Sequence, residues 1–220
     1  MGDAIPAGIQ REVEARKARR RLYPVSILYS VFAVGVMVLA VPSRPSLALG
    51  SFALGVFVWT AVEYAVHRYI LHGRFPDGPG VLEHFLHRHF DHLHWEHHKR
   101  PWDGNHINGT IQDTLPFVGP IALLSFLFPL ATLPALLAGF LQAYIIEEWV
   151  HHSVHFCQFR GRYFRYIKRH HLYHHSPKGS AVAYGLSNGL WDVASDTRIS
   201  PDMRRALYAP LRGRSPRALA

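Results

Sequence analysis

The stretch that decides the fold runs from Thr114 to Ile146, TLPFVGPIALLSFLFPLATLPALLAGFLQAYII, and contains 33 residues without a charged side chain. One helix of that length would reach roughly 50 Å, whereas the hydrocarbon core of a bilayer is about 30 Å thick. Proline interrupts helices because it lacks a backbone donor, and Pro129 and Pro134 flank a turn near the middle of the stretch. The stretch therefore predicts a membrane hairpin with spans at 115–130 and 133–150.

Two shorter uncharged runs precede this hairpin, with 22 residues from Leu22 to Ser43 and 18 residues from Pro45 to Val62. Each suits one membrane-spanning helix, which needs about 17 to 25 apolar residues. They predict a first hairpin with spans at 24–43 and 46–66. The predicted fold class is an all-α integral membrane protein with four transmembrane helices in two hairpins and a His-rich helical cap. A soluble bundle of buried helices is the alternative.

The positive charges favour the membrane interpretation and predict its orientation. The chain has 24 Lys and Arg against 15 Asp and Glu, and of the 24 only Arg44 falls in a predicted hairpin turn. Cytoplasmic loops carry the excess of Lys and Arg, so both termini and the cap are expected on the cytosolic side, near anionic lipid headgroups. Nucleic acid is not expected as a partner.

The histidines are concentrated in the two polar segments that follow the hairpins. All 17 fall there, ten in 67–106 and seven in 151–175. The only cysteine is Cys157, which excludes an intramolecular disulfide and a metal site built from several cysteines. The predicted organisation is a basic N-terminal segment (1–23), a membrane domain (24–197) whose cap comprises 67–113 and 151–197, and a basic tail (198–220).

Ten of these histidines occur at spacings that let imidazoles converge. The predicted metal ligands are His67 and His72; His94, His97 and His98; His151 and His155; and His171, His174 and His175. An H-x-x-H-H group on a helix places its three rings toward one side. Ten imidazoles suffice for two metal ions, and imidazole suits zinc, copper, iron or nickel but not magnesium or calcium. The spacings predict a dimetal centre without assigning individual histidines to either metal.

Ligating histidines usually donate their second N–H to a carboxylate or a carbonyl, and neighbouring residues could supply that support. The candidates are Glu63, Glu147, Glu148, Asp103, His152 and His170. Glu63 lies four residues before His67, at a membrane edge where an ionisable side chain is costly unless it is functional. The remaining histidines, His84, His87, His89, His92 and His106, lie outside the four spacings and are expected at the surface.

Several motifs resemble the membrane fatty acid hydroxylase and sterol desaturase superfamily, in particular its fatty acid 2-hydroxylase branch. They are Glu63-Tyr64, His67-Arg68-Tyr69, Leu71-His72, His94-Trp95-Glu96-His97-His98-Lys99, Pro101-Trp102-Asp103, His171-Leu172-Tyr173-His174-His175, Tyr184-Gly185 and Trp191-Asp192. The resemblance covers roughly residues 55–197. It implies a non-haem diiron monooxygenase that uses dioxygen to hydroxylate a lipid acyl chain, at the 2-position of a free or amide-linked fatty acid. Zinc has no redox chemistry, so zinc in a purified protein would be a substitute for iron.

The resemblance also bears on partners and on specificity. Only 23 residues precede the first predicted span, so we expect a separate electron donor of ferredoxin or cytochrome b5 type, with its reductase. The candidate docking residues are Arg160, Arg162, Arg165 and Lys168. His106-Ile107-Asn108-Gly109-Thr110 and Glu147-Glu148 depart from the 2-hydroxylase pattern. Carotenoid ring hydroxylation and sterol desaturation therefore stay open, and a pocket between Trp59, the cap and Trp191 would decide among them.

A metal transporter or storage protein is the alternative from a different class. Transporters place polar ligands near the middle of the bilayer. The predicted spans contain no His or Asp in their middle, which disfavours transport.

Overall fold

The computed structural model describes residues 7–75 and 78–208, and every regular element within them is helical. The helices are α1 (Ala7–Ala40), α2 (Pro45–Ala65), α3 (Val81–Leu86), α4 (His92–Lys99), α5 (Ile111–Ser125), α6 (Leu133–Phe156), α7 (Arg162–His174), α8 (Leu190–Ala194) and α9 (Pro201–Tyr208). Two π-helical stretches, Val66–Leu71 and His87–Asp91, directly follow α2 and α3. Of the predicted basic tail, residues 209–220 lie outside the described residues.

Three of these helices are long and apolar enough to cross a membrane. They are α1 from Gly8, α2 together with its π-helical extension to Leu71, and α6. Val31, Val34 and Val38 on α1 are each more than 60% exposed. A soluble protein rarely exposes an apolar surface of this extent, whereas lipid tails would cover it. The helices therefore support a membrane protein and not a soluble bundle.

The predicted four spans in two hairpins are not confirmed, because the third predicted span forms a helix that is too short. Helix α5 has 15 residues and contains Pro116 and Pro120. At 1.5 Å per residue it is about 22 Å long, less than the hydrocarbon thickness of about 30 Å. The chain does turn back after Ser125, since α6 begins at Leu133. The 33 uncharged residues thus contribute to one short helix, α5, and to the first part of the longer helix α6, which continues to Phe156.

Helix α1 extends well beyond the predicted span at 24–43, because residues 7–23 continue the same helix. Buried residues recur every three or four positions along it, at Ala15, Ala18, Leu22, Val25, Tyr29, Ala33, Val36 and Ala40. This stripe is the pattern of a helix that buries one face. Its N-terminal part packs on the cap, where Arg11 donates to the carbonyl of His155 and Gly104 N donates to Glu14.

Helix α6 packs between α1 and α2 and carries two of the predicted ligands. Glycine permits its close approach to α2. A Cβ atom at Gly55 would overlap the carbonyl oxygen of Leu136, and one at Gly139 would overlap that of Phe52. Small residues allow this close backbone contact between membrane helices. The crossing fixes α2 against α6, and both helices lead directly into the His-rich region.

Candidate metal centre

The ten histidines predicted as ligands form two groups of five. Group A comprises His67, His72, His94, His98 and His174, and group B comprises His97, His151, His155, His171 and His175. Within each group one ring nitrogen per residue lies within 4.8 Å of all the others. The groups are adjacent, since the rings of His98 and His175 stack with their centroids 4.2 Å apart. The fold therefore creates two neighbouring nitrogen clusters from four separate segments.

Each H-x-x-H-H group divides between the two clusters. His94 and His98 lie in group A whereas His97 lies in group B, and His171 and His175 lie in group B whereas His174 lies in group A. Consecutive helical residues point about 100° apart, so neighbours such as His97 and His98 face different sides. The expectation that all three rings of a triplet face one side is therefore wrong, and each triplet instead contributes to both clusters.

The spacing of the nitrogens suits a transition-metal ion. In group A, the Nε2 atoms of His72 and His174 lie 2.8 Å apart and those of His72 and His94 lie 3.0 Å apart. In group B, the Nε2 atoms of His97 and His151 lie 3.0 Å apart. At the metal–nitrogen distance of about 2.1 Å typical of imidazole, two nitrogens at right angles on one ion lie about 3.0 Å apart. Both groups have the donor type and the spacing of a metal site.

His67 supports this interpretation from its hydrogen bonds. Its Nδ1 donates to the carbonyl oxygen of Tyr184, which leaves an unprotonated Nε2. That Nε2 is buried and has no hydrogen-bond partner in the described part of the chain. A buried lone pair without a donor is unfavourable unless a cation occupies the position it faces. His67 is thus prepared as a metal ligand.

Backbone carbonyls, not carboxylates, orient two of the rings in group A. His174 Nδ1 donates to Val182 O at 2.7 Å, and His67 Nδ1 donates to Tyr184 O. Ala183 lies between these two acceptors and has a φ of 62°, in the left-handed region. That conformation is unfavourable for alanine, and such strain often accompanies functional sites. The strained residue turns two neighbouring carbonyls toward the same cluster.

Asp192 holds this segment in place, and the spacing analysis did not select it. It is fully buried and accepts hydrogen bonds from Tyr184 N, Gly185 N, Thr197 Oγ1 and His170 Nε2. Burial alone would raise the pKa of its carboxyl group, but these hydrogen bonds outweigh burial and lower that pKa. The carboxylate therefore fixes Tyr184, whose carbonyl orients His67. The Trp191-Asp192 motif was the available sequence signal.

Three ligand imidazoles outside the membrane spans, those of His72, His98 and His174, are held neutral, as metal binding requires. Burial, reinforced by neighbouring imidazoles, lowers the pKa of His72 to about 3 and that of His98 to about 2. Burial likewise lowers the pKa of His174 to about 4. These rings carry free lone pairs at neutral pH.

The predicted supporting carboxylate Glu63 contacts a different partner. It accepts hydrogen bonds from Leu186 N at 2.6 Å, Ser187 N at 2.7 Å and the Ser187 hydroxyl. In the described structure His67 donates to Tyr184 O instead, because Glu63 faces the 186–187 backbone. Glu63 thus anchors the same segment as Asp192, from the α2 side.

The other candidate supports also lie beside the clusters without bonding them in the described structure. Asn108 Nδ2 donates to Glu148 Oε2 at 2.6 Å. Asp103 accepts from His106, and His152 contacts the carbonyl of Ala15 on α1. Glu147 is buried and shares a cavity with both clusters. Asp103 therefore makes a contact within the cap, whereas His152 connects α6 to α1.

A cavity of about 200 Å³ connects the two clusters. His67 and His94 of group A line it, as do His97, His151 and His171 of group B. Much of the remaining wall is apolar, with Trp59, Val66, Leu71, Phe90, Leu93, Ile107 and Leu186. Trp191, expected to flank this space, instead donates to Thr60 Oγ1 at 3.0 Å because it faces α2. An apolar chain in this cavity would lie beside both clusters.

The chain is similar to known fatty acid and fatty acyl hydroxylases. The fatty acid 2-hydroxylase of Macaca fascicularis is 32% identical over 73% of this chain and 42% of that protein. A dihydroceramide fatty acyl 2-hydroxylase of Arabidopsis thaliana is 34% identical over 66% of this chain and 59% of its own length. The chain therefore spans about half the length of such relatives.

The solved structure of full-length Scs7p, in which only the hydroxylase domain is visible, is similar to this fold. It superposes with a TM-score of 0.70 and 26% identity, over 82% of this chain and 67% of that one. The family model described as fatty acid hydroxylase matches residues 52–197, which include all ten histidines of groups A and B. The chain belongs to the fatty acid hydroxylase family.

Proposed function

We propose that this protein is a membrane-embedded, dioxygen-dependent hydroxylase that inserts a hydroxyl group into a lipid acyl chain at the 2-position. The observation that carries the proposal is the apolar cavity whose wall includes histidines of both clusters. The names of the relatives, fatty acid and dihydroceramide fatty acyl 2-hydroxylases, favour the acyl chain over a carotenoid or sterol ring.

The proposed cofactor is a pair of non-haem iron ions, one in group A and one in group B. The ten imidazole nitrogens and their spacing fit such ions. Iron, unlike zinc, has the redox chemistry to activate dioxygen toward an unactivated C–H bond. Zinc in a purified sample would then be a substitute that binds the same nitrogens.

The chain's own residues have three tasks in this mechanism. Trp59, Leu71 and Phe90 would bind the acyl chain and exclude water from the cavity. His67 and His97, from opposite clusters, line that cavity and would place the reacting carbon beside both metals. Asp192 and the segment it holds would keep the His67 ring in the tautomer that leaves Nε2 free.

Electrons would come from a separate protein, of ferredoxin or cytochrome b5 type. Arg160, Arg162 and Arg165 are exposed beside α7 and could pair with acidic residues on such a partner. Lys168, also expected there, instead donates to Cys157 O at 2.6 Å, because its side chain covers the end of α6. With the positive-inside distribution, this surface and the metal centre are assigned to the cytosolic side.

Lipid mass spectrometry tests the proposal. Cells that produce the protein together with a working electron donor should accumulate a 2-hydroxyacyl lipid, located by fragmentation. The double variant His97→Ala/His174→Ala, which removes one ligand from each cluster, is the matched control and should form none. Oxygen on a polyprenoid or sterol ring would reassign the substrate. No oxygenated product from iron-loaded protein would contradict hydroxylation.

A further inference from the structure

One arginine on α1 lines the cavity without a partner. Arg21 is half-buried and forms part of the cavity wall. Its Nε atom is buried and has no hydrogen-bond partner among residues 7–75 and 78–208. A buried guanidinium N–H normally has an acceptor, and leaving one unpaired is unfavourable. Arg21 lies on α1, outside the residues 52–197 that match the family model.

Other basic residues on the same helix turn have partners or face solvent. Lys17 pairs with Glu14 at 2.7 Å and Arg19 pairs with Glu12 at 2.8 Å. Arg20, the direct neighbour of Arg21, is exposed. Arg21 therefore lines a cavity, whereas its basic neighbours pair with an acidic side chain or face water.

The carboxylates that share this cavity do not neutralise Arg21. Glu63 is bonded to the 186–187 backbone, Glu148 to Asn108, and Asp113 to Thr110. Glu147 also lines the cavity. In the described part of the chain none of these four forms an ion pair with Arg21 within 4.0 Å. The guanidinium is available to a ligand.

We infer that Arg21 binds an anionic group at the polar end of the acyl substrate. The inference rests on the proposed function and narrows its substrate class. Arginine recognises a carboxylate with two parallel hydrogen bonds. Because hydroxylation at the 2-position places the reacting carbon next to the acyl carboxyl group, the anion-binding residue must share a cavity with the metal ligands, as Arg21 does. The substrate is then a free fatty acid, whose carboxylate is bonded directly to the 2-carbon, and not a neutral ceramide.

Binding to the metal-free protein in detergent tests this without depending on turnover. The probes are palmitate, methyl palmitate, palmitoyl-coenzyme A and N-palmitoylsphinganine. Arg21→Gln should weaken palmitate binding by about tenfold to a hundredfold, the loss of a charge-assisted hydrogen-bonded pair, and should leave methyl palmitate unchanged. Arg21→Lys should retain part of the affinity. Arg20→Gln, which removes a neighbouring exposed charge, is the matched control and should bind like wild type. Palmitoyl-coenzyme A carries its phosphates far from the 2-carbon, so its binding should not depend on Arg21; a loss of palmitoyl-coenzyme A binding in Arg21→Gln equal to that for palmitate would assign Arg21 to a phosphate and contradict the inference.

Two further results would overturn the inference. One is Arg21→Gln protein that binds palmitate as tightly as the Arg20→Gln control. The other needs no variant: wild-type protein that binds N-palmitoylsphinganine as tightly as palmitate. Turnover by the iron-loaded protein separates this inference from the proposed function. Palmitate binding that depends on Arg21, without any hydroxylated product, would support the anion site and contradict the proposed hydroxylase function. Hydroxylation of a ceramide that does not depend on Arg21 would support the hydroxylase function and contradict the anion site.

Discussion

Asp192→Asn should weaken metal binding in group A while sparing group B. The wild-type carboxylate accepts two donors at Oδ1, from Tyr184 and Thr197, and two at Oδ2, from Gly185 and His170. Asparagine keeps the volume but replaces one oxygen by an NH₂ group, which cannot accept. At least one buried N–H therefore loses its acceptor, and the segment that carries the Tyr184 carbonyl loosens.

The magnitude follows from these contacts. A lost hydrogen bond to a charged group costs about 1.5–3 kcal/mol, and a buried donor left unpaired costs about 1–3 kcal/mol. We expect a loss of about 3 kcal/mol in the free energy of unfolding. Loss of the group that orients a ligating histidine typically lowers metal affinity by about 10- to 100-fold, here at group A through His67.

The assay is metal content per protein after equilibration with increasing chelator, measured on purified protein that remains monodisperse. At chelator concentrations where wild type retains two metals, Asp192→Asn should retain about one. Asp196→Asn is the matched control, since that side chain is 91% exposed and its ion pair with Arg198 spans 3.9 Å. If Asp192→Asn keeps both metals as tightly as the control, the proposed support of His67 is refuted.

Two further predictions concern stability. The metal-free protein should lose stability as pH falls below about 6.5, because His72, His98 and His174 have folded-state pKa values near 3, 2 and 4 and only the unfolded chain takes up protons there. Thermal unfolding at decreasing pH measures this, and an unchanged melting temperature down to about pH 4 would contradict it. Gly139→Leu should destabilise the fold by about 3 kcal/mol or more, because its side chain meets the α2 backbone. Gly35→Leu, at a position with open space around it, should unfold like wild type.

The histidine pattern is a local property, which explains why the sequence predicts so much of the site. The spacings select histidines that lie close together along the chain, and the fold gathers these same ten residues. Their division between clusters could not be predicted, because it depends on how α4 and α7 lie relative to each other. Asp192 was missed for a similar reason, because the hydrogen bond from Tyr184 N to its carboxylate forms only when the folded chain brings α8 next to residues 184–185.

The limits of the membrane prediction also have physical causes. A count of uncharged residues measures the apolar length of a segment but not where a helix begins and ends. It therefore did not predict that α5, which contains Pro116 and Pro120, has only 15 residues. At the N-terminus, six basic residues in 1–23 suggested a separate segment. The buried stripe that includes Ala15, Ala18 and Leu22 was present in the same residues and predicts the continuous helix.

Dioxygen activation by metals in the two histidine clusters, followed by hydroxylation of an acyl chain, is the proposed reaction. Its most direct test supplies isotopically labelled dioxygen to iron-loaded protein, an electron donor and lipid, and follows the label by mass spectrometry. We expect one labelled oxygen at the 2-position of the acyl chain, and none with His97→Ala or His174→Ala. Label-free product, or labelled product from both variants, would contradict it.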